Sequence, residues 1–91
     1  MLEGASVSDA LDAEIALHIG TRLRRRRRLL GLTQAELGAA VGVRFQQIQK
    51  YECAANGISA GRLWRLAIEL GVTADYFFIG LERPPAEANA P

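Results

Sequence analysis

The fold of this protein is decided by residues 33–52, TQAELGAAVGVRFQQIQKYE. The stretch predicts two short helices joined by a tight turn. Thr33 can cap the first helix through its hydroxyl, and Glu36 can reach back to the N–H of Thr33, which makes a capping box. Gly42 supplies the positive φ that a sharp turn between two helices needs at no steric cost.

The second helix of this stretch has an apolar face and a polar face. It begins at Arg44 or Phe45, and its apolar face runs from Ile48 to Tyr51 or Glu52. The polar face carries long amides beside one cation: Gln46, Gln47, Gln49 and Lys50. Because Gln can make a bidentate contact to N6 and N7 of adenine in the major groove, this face predicts contact with DNA bases.

Residues 33–52 resemble the helix-turn-helix of the Cro and phage-repressor-like family, often called the XRE family. TQAEL, then VGV at the turn, then QxIxKYE follow the family pattern, and the resemblance extends over roughly Ile19 to Phe78. FQQIQKYE is especially similar to the recognition helix of a bacterial subgroup of short, single-domain regulators. The resemblance implies an all-α, five-helix, lambda-repressor-like domain that binds double-stranded DNA and regulates transcription.

Length and composition predict one packed domain. The chain has 91 residues, a hydrophobic content of 49% and a mean hydropathy of +0.05. We expect flexible tails at residues 1–10 and 82–91 around a domain at 11–81. No apolar run reaches the length of a membrane span, the N-terminus lacks a secretory pattern, and Cys53 is the single cysteine. A cytoplasmic protein is the simplest expectation.

The net charge of +1 conceals a strong segregation of charge. The segment from Gly20 to Arg65 holds ten cations and two acids, a net of +8, whereas the rest of the chain holds eight acids and one arginine, a net of −7. Such a split favours a basic face for a polyanion, with the acidic ends turned away. Two ordinary solvated surfaces are the alternative.

One arginine interrupts the apolar stripe of the first helix. The stripe runs through Leu11, Ile15, Ile19, Leu23 and Leu30. Arg27 falls on the same face, and a buried guanidinium needs a carboxylate partner. Glu52 is the obvious candidate, because Glu36 is already assigned to the cap. The family resemblance implies the same ion pair, so we expect Arg27 and Glu52 to join the first and third helices.

The resemblance also assigns contacts to DNA. Expected base contacts are Arg44, Phe45, Gln46, Gln49 and Lys50. Expected phosphate contacts are Gln34, Arg25, Arg28, Gln47 and Asn56. Gln34 follows a helix cap, where an amide and free backbone N–H groups suit a phosphate oxygen. Phe45 can instead pack into the core, and Gln47 can instead face a partner subunit.

Three positions at the edges of the recognition helix depart from the family pattern. Arg44 replaces the usual Ser or Thr cap, which removes a side-chain acceptor worth about 1 kcal/mol and adds a cation. Ala54 stands where Gly is usual, so we expect a strained backbone there. Gly57 stands where a basic residue is usual, which removes one possible phosphate contact.

The C-terminal part of the domain predicts two more helices and a dimer face. Ser59 caps a helix that ends at Gly71, and Thr73 caps a short one over residues 74–78. Leu66 and Phe77 are the expected core residues. The surplus of large apolar groups predicts a homodimer interface at Trp64, Tyr76, Phe78, Ile79 and Leu81.

The chain offers no pattern for other chemistry. His18 has no second ligand at metal spacing, so we expect a surface residue and no metal. No acid–base pair, nucleophile set or phosphate loop is present, which predicts no enzyme activity, no cofactor and no small-molecule ligand. The expected function is a repressor that binds an inverted-repeat operator as a homodimer. The alternative is an antitoxin or protein-interaction partner that uses the aromatic C-terminal face, with DNA binding weak or lost.

Overall fold

The structure, a computed structural model, describes residues 7–83 and is all-helical over that range. Its elements are α1 (Val7–Leu29), α2 (Gln34–Val41), α3 (Phe45–Glu52), α4 (Ala60–Leu70) and a 3₁₀ helix (Ala74–Phe78). The all-α expectation is confirmed: four of the five expected helices are α-helices, and the short last one is a 3₁₀ helix. α1 begins inside the segment expected as a tail, and residues 1–6 and 84–91 lie outside the described residues.

The C-terminal end of α1 explains one wrong assignment in the apolar stripe. The helix ends at Leu29, and Gly31 adopts a positive φ of 73° while the N–H of Leu32 donates to the carbonyl of Arg27 at 3.1 Å. Leu30 therefore lies in the turn and is 44% exposed. Leu32 packs against the core at the corner in its place.

The turn between α2 and α3 has the predicted geometry. The hydroxyl of Thr33 accepts from the N–H of Glu36 at 3.0 Å, and the carboxylate of Glu36 accepts from the N–H of Thr33 at 2.8 Å. Gly42 ends α2 with a φ of 78°. A further glycine is required at position 38, because a Cβ there would lie 2.6 Å from the carbonyl oxygen of Val43.

The core lies where α1, α2, α3, α4 and the 3₁₀ helix meet. Its buried hydrophobic residues are Leu23, Leu37, Val41, Ile48, Tyr51, Leu66, Ala67, Leu70 and Phe77. Leu66 and Phe77 are both fully buried, as predicted. Burying a side chain of this size stabilises the fold by about 1.5–3 kcal/mol.

α1 and α3 cross with their backbones almost in contact. A Cβ on Gly20 would lie 2.5 Å from the carbonyl oxygen of Tyr51 and 2.7 Å from that of Glu52. No real side chain tolerates such distances, so only glycine allows this crossing. The end of α3 is thereby fixed against α1.

Three side chains of α1, each one helical turn from the next, donate to backbone carbonyls of the C-terminal segment. The pairs are His18 Nε2 with Ile79 O at 2.7 Å, Arg22 Nε with Tyr76 O at 2.9 Å and Arg26 Nε with Leu70 O at 2.8 Å. We call this set the carbonyl ladder. His18 is half-buried in it, so the expectation of a plain surface histidine is wrong.

The caps of the last two helices differ from each other. Ser59 accepts from the N–H of Arg62 at 3.1 Å, and Gly71 ends α4 with a φ of 68°, both as predicted. Thr73 occupies the cap position of the 3₁₀ helix, but its hydroxyl donates to the carboxylate of Asp75. It makes no cap bond to a backbone N–H, so that part of the prediction is wrong.

Candidate nucleic-acid interface

The exposed face of α3 carries the side chains expected to contact bases. Ile48, Tyr51 and Glu52 are buried on one side of the helix, and the opposite side presents Phe45, Gln46, Gln49 and Lys50 to solvent together with Arg44 at the cap. Phe45 is 48% exposed, so it is not a core residue. Gln47 is half-buried at the edge of this face.

Arg44 has no structural role in the cap that it occupies. Its backbone is extended, with φ −79° and ψ 160°, and its side chain makes no cap hydrogen bond. The guanidinium is therefore an exposed cation at the start of α3.

The predicted ion pair between Arg27 and Glu52 is present and buried. Nε of Arg27 donates to Oε2 of Glu52 at 2.6 Å, and Nη2 donates to Oε1 at 3.0 Å. Nη1 donates to the carbonyl of Leu32 at 2.8 Å, so every side of the guanidinium is bonded. The hydrogen bond to Glu52 raises the pKa of Arg27 above its usual value, although burial opposes the shift. The pair joins α1 to α3.

Gln34, expected as a phosphate contact, is also joined to this pair. Its Nε2 donates to Oε1 of Glu52 at 3.0 Å, and its side chain is half-buried. One amide N–H is thus occupied inside the protein. The expectation treated Gln34 and Glu52 separately, because their separation of 18 positions gives no sequence signal for this contact.

An open groove of about 750 Å³ lies between α1, the start of α2 and the end of α3. We call it the α1–α3 groove. Its polar lining includes Thr21, Arg24, Arg28, Thr33, Gln34, Gln49 and Cys53. Because Gln49 belongs to both surfaces, the groove continues directly from the exposed face of α3. Two exposed arginines make it basic.

The arginine run of α1 is divided among several faces. Arg28 lines the α1–α3 groove, as a phosphate contact there requires. Arg25 is exposed but is not part of the groove lining, and Arg24 occupies the place expected for it. The spacing i, i+4 between Arg24 and Arg28 puts them on one face, so the sequence contained this signal.

Four arginines of the basic segment serve the fold and are not free to bind a polyanion. Arg22 and Arg26 belong to the carbonyl ladder, Arg27 is in the buried ion pair, and Arg62 donates to the carbonyl of Val41 at the end of α2. The segment charge of +8 therefore overstates the exposed cations. The exposed ones are Arg24, Arg25, Arg28, Arg44, Lys50 and Arg65.

The loop after α3 contains the strained residue that the sequence predicts. Ala54 has a φ of 62°, the left-handed region that disfavours a Cβ. The N–H of Ala54 donates to Tyr51 at 3.2 Å and that of Ala55 to Lys50 at 2.9 Å, so hydrogen bonds hold the conformation. Asn56 and Gly57 follow, and both are exposed.

The C-terminal face exposes several large apolar groups. Trp64 is 63% exposed and Ile79 55%, and Phe78 is 41% exposed. Ile68, one turn after Trp64 on α4, is 61% exposed and was not expected there.

Two residues expected in the dimer face are less available. Leu81 and Tyr76 are half-buried. The guanidinium carbon of Arg22 lies 3.9 Å from the ring centroid of Tyr76, and the ring meets Phe77 edge-on at 5.6 Å. Tyr76 is therefore largely used in packing the 3₁₀ helix.

Other kinds of site find little support in residues 7–83. No group of three or more His, Cys, Asp or Glu residues in this range could hold a metal ion. None of the helices in the same range is long and apolar enough to cross a membrane. Cys53 is exposed, and its thiol contacts the carbonyl of Lys50 at 3.7 Å.

The tight turn, the solvent-facing polar helix and the buried Arg27–Glu52 pair behind it define a helix-turn-helix domain of the class found in DNA-binding transcriptional regulators. The family described as Helix-turn-helix matches residues 23–77. The chain therefore belongs to the Cro and phage-repressor-like, or XRE, helix-turn-helix family.

Two relatives show how the chain compares with longer proteins. It is 54% identical over 66 residues to an uncharacterized transcriptional regulator in the ATPase CF(0) region of Rhodospirillum rubrum, covering 72% of this chain and 61% of that protein. It is 47% identical over 64 residues to an uncharacterized HTH-type transcriptional regulator of Sinorhizobium fredii (strain NBRC 101917 / NGR234), covering 70% and 45%. The chain thus matches about half the length of these relatives.

A solved structure with the same fold is that of the P22 c2 repressor protein in complex with synthetic operator 9T in the presence of Tl⁺. It matches with a TM-score of 0.64 and 34% identity, covering 68% of this chain and 94% of that one.

Proposed function

We propose that this domain binds double-stranded DNA sequence-specifically and regulates transcription by occupying its site. The exposed face of α3 is the observation that carries the proposal, because five long or cationic side chains there have no role in the core. The resemblance to a repressor crystallised with its operator supports it.

In this proposal α3 lies in the major groove and reads base edges. Gln46 and Gln49 suit adenine, Arg44 and Lys50 suit guanine, and Phe45 suits a thymine methyl group. All five side chains are exposed.

The phosphate contacts lie around this helix. Gln34 and Arg28 come from the α1–α3 groove, and Arg24 joins them because it lines the same wall. Gln47 and Asn56 flank α3. Arg25, on the outer side of α1, contributes a longer-range attraction and no contact within the groove.

The proposed assembly is a homodimer that represses transcription at an inverted repeat. Trp64, Phe78 and Ile79 form the proposed interface, and the exposure of Ile68 extends it along α4. Two-fold symmetry would place two recognition helices about 34 Å apart, one turn of the duplex. Occupancy would then exclude polymerase.

A second candidate function is an antitoxin or interaction partner whose DNA binding is secondary. The exposed Trp64 and Ile68 favour it, because solvated side chains of this size suit a protein partner. The missing cation at Gly57 also favours it. In that case the aromatic C-terminal face is the functional surface.

Selection of bound duplexes from a random pool distinguishes the two functions. We expect enrichment of an inverted repeat, and we expect Gln46→Ala to relax the preference at one base position in each half-site. The matched control is Arg25→Ala, which should weaken all duplexes alike. If no selected duplex binds more tightly than random DNA, the interaction-partner function is favoured.

A further inference from the structure

We propose that Glu52 is a positioning residue for DNA: it holds the amide of Gln34 so that the remaining N–H of that amide donates to a backbone phosphate. The inference rests on the proposed function and deepens it. Glu52 makes no contact with DNA in this proposal. Glu52 acts through Gln34, and Arg27 fixes the position of Glu52.

The orientation of the Gln34 amide follows from its partner. A carboxylate can only accept, so the NH₂ group and not the oxygen of Gln34 faces Oε1 of Glu52 at 3.0 Å. One of the two N–H bonds of Nε2 is occupied in this way. The other remains available at the wall of the α1–α3 groove.

The start of α2 supplies further donors beside this amide. The hydroxyl of Thr33 accepts from the N–H of Glu36, and the carbonyl of Thr33 accepts from the N–H of Leu37 at 3.0 Å. The backbone N–H groups of Gln34 and Ala35 have no intrahelical acceptor. Together with the free amide N–H they form a set of donors for one phosphate oxygen.

Glu52 can hold the amide because it is itself immobile. It is 7% exposed, two guanidinium bonds from Arg27 fix its carboxylate, and its backbone is pressed against Gly20. Holding the amide in advance lowers the entropy cost of ordering Gln34 on binding.

The charge of Glu52 does not prevent a phosphate from approaching. A bare carboxylate beside the start of α2 would repel the anion, but Arg27 bonds both of its oxygens. The pair is neutral as a unit, and the exposed Arg24 and Arg28 leave the groove basic. Arg27 therefore serves both as an anchor for Glu52 and as its neutralising partner.

A double-mutant cycle on modified DNA tests the inference. Dissociation constants are measured for wild type, Gln34→Ala, Glu52→Gln and the double variant on the selected duplex, and on duplexes with single methylphosphonate replacements. We expect each single variant to bind roughly three- to tenfold more weakly. We expect the double variant to lose no more than one of them, and both losses to vanish at the same neutralised phosphate.

A second variant separates positioning from stability, because Glu52→Gln leaves Arg27 without its carboxylate and can fail to fold. The double replacement Arg27→Met/Glu52→Met removes the whole pair and should unfold at a temperature close to that of wild type. We expect it to show the same phosphate-specific loss. Phe77→Leu is the control: it destabilises the core away from the groove and should leave that loss absent.

The outcomes are distinct. Losses at Gln34 and Glu52 that add, or a loss at Glu52 that persists on every neutralised duplex, overturn the inference while wild-type binding keeps the proposed function. Wild-type binding no tighter than to random DNA would overturn the proposed function itself.

Discussion

The two sides of α1 use the same residue type for opposite purposes. On the side of the C-terminal segment, Nε of Arg22 and Nε of Arg26 each donate to a backbone carbonyl. On the side of the α1–α3 groove, Arg24 and Arg28 remain exposed. A run of arginines in the sequence therefore does not by itself indicate a binding surface. The position of each arginine on the helix decides whether it bonds within the fold or is exposed to solvent.

Arg27 lies between these two sides of α1. Of the changes considered, its loss should lower the free energy of unfolding most. Arg27→Met leaves Glu52 buried with no cation, so we expect the free energy of unfolding to fall by about 3–5 kcal/mol. Urea denaturation at neutral pH measures it. The control is Arg25→Met, which should change the free energy of unfolding by at most about 0.5 kcal/mol. Equal effects of the two changes would contradict a stabilising role of the Arg27–Glu52 pair.

The second-largest loss of stability is expected where α1 and α3 cross. Gly20→Ala puts a methyl group against the carbonyl oxygens of Tyr51 and Glu52, so we expect a loss of about 1–3 kcal/mol or more from overpacking. Gly61→Ala is the matched control, since a Cβ at that position would have no atom of another part of the fold within 4 Å. That change should leave the protein as stable as before or raise the free energy of unfolding by up to about 1 kcal/mol. Thermal unfolding followed by circular dichroism would show the difference.

The same substitution at one arginine on each side of α1 compares the two sides directly. Arg22→Met removes a hydrogen bond to Tyr76 and the stacking on its ring, so we expect a loss of about 1–2 kcal/mol in the free energy of unfolding. Arg24→Met should leave that free energy within about 0.5 kcal/mol of wild type. Chemical denaturation of both variants under one condition compares them, and a larger loss at Arg24 would be inconsistent with the carbonyl ladder.

The smallest effect is expected in the loop after α3. Ala54→Gly relieves the left-handed backbone and should raise the free energy of unfolding by about 1 kcal/mol. Ala55→Gly, one residue later and without a positive φ, should lower it instead. Denaturation midpoints of the two variants should move in opposite directions, and a shared direction would show that φ at Ala54 is not the cause.

Local chemistry allowed much of the fold to be predicted. The capping box at Thr33 and Glu36, the turn at Gly42 and the strain at Ala54 each depend on neighbouring residues, and all are present. The Arg27–Glu52 pair was predictable because a cation on a buried stripe has few possible partners.

Contacts set by the packing of distant elements were not predictable. Gly20 shows no sign in sequence that two carbonyls approach it, and Gln34 shows none that Glu52 will bind its amide. The hydrogen bond of His18 could not be predicted, because its acceptor is the backbone carbonyl of Ile79. Every residue has such a carbonyl, so no residue type in the sequence indicates this partner. That Arg24 shares a face with Arg28, and Arg25 does not, was predictable from their i, i+4 spacing.

The salt dependence of binding tests the DNA-binding surface most directly. The dissociation constant on the selected duplex is measured over a range of salt concentration for wild type and for Arg24→Met/Arg28→Met. For wild type we expect affinity to fall steeply as salt rises. The logarithm of the association constant should fall against the logarithm of the salt concentration with a slope of about −0.9 per phosphate contacted. The double variant should have a slope shallower by about 2, one for each lost contact. A salt-independent affinity, or identical slopes for the two proteins, would contradict the assignment of the α1–α3 groove to the DNA backbone.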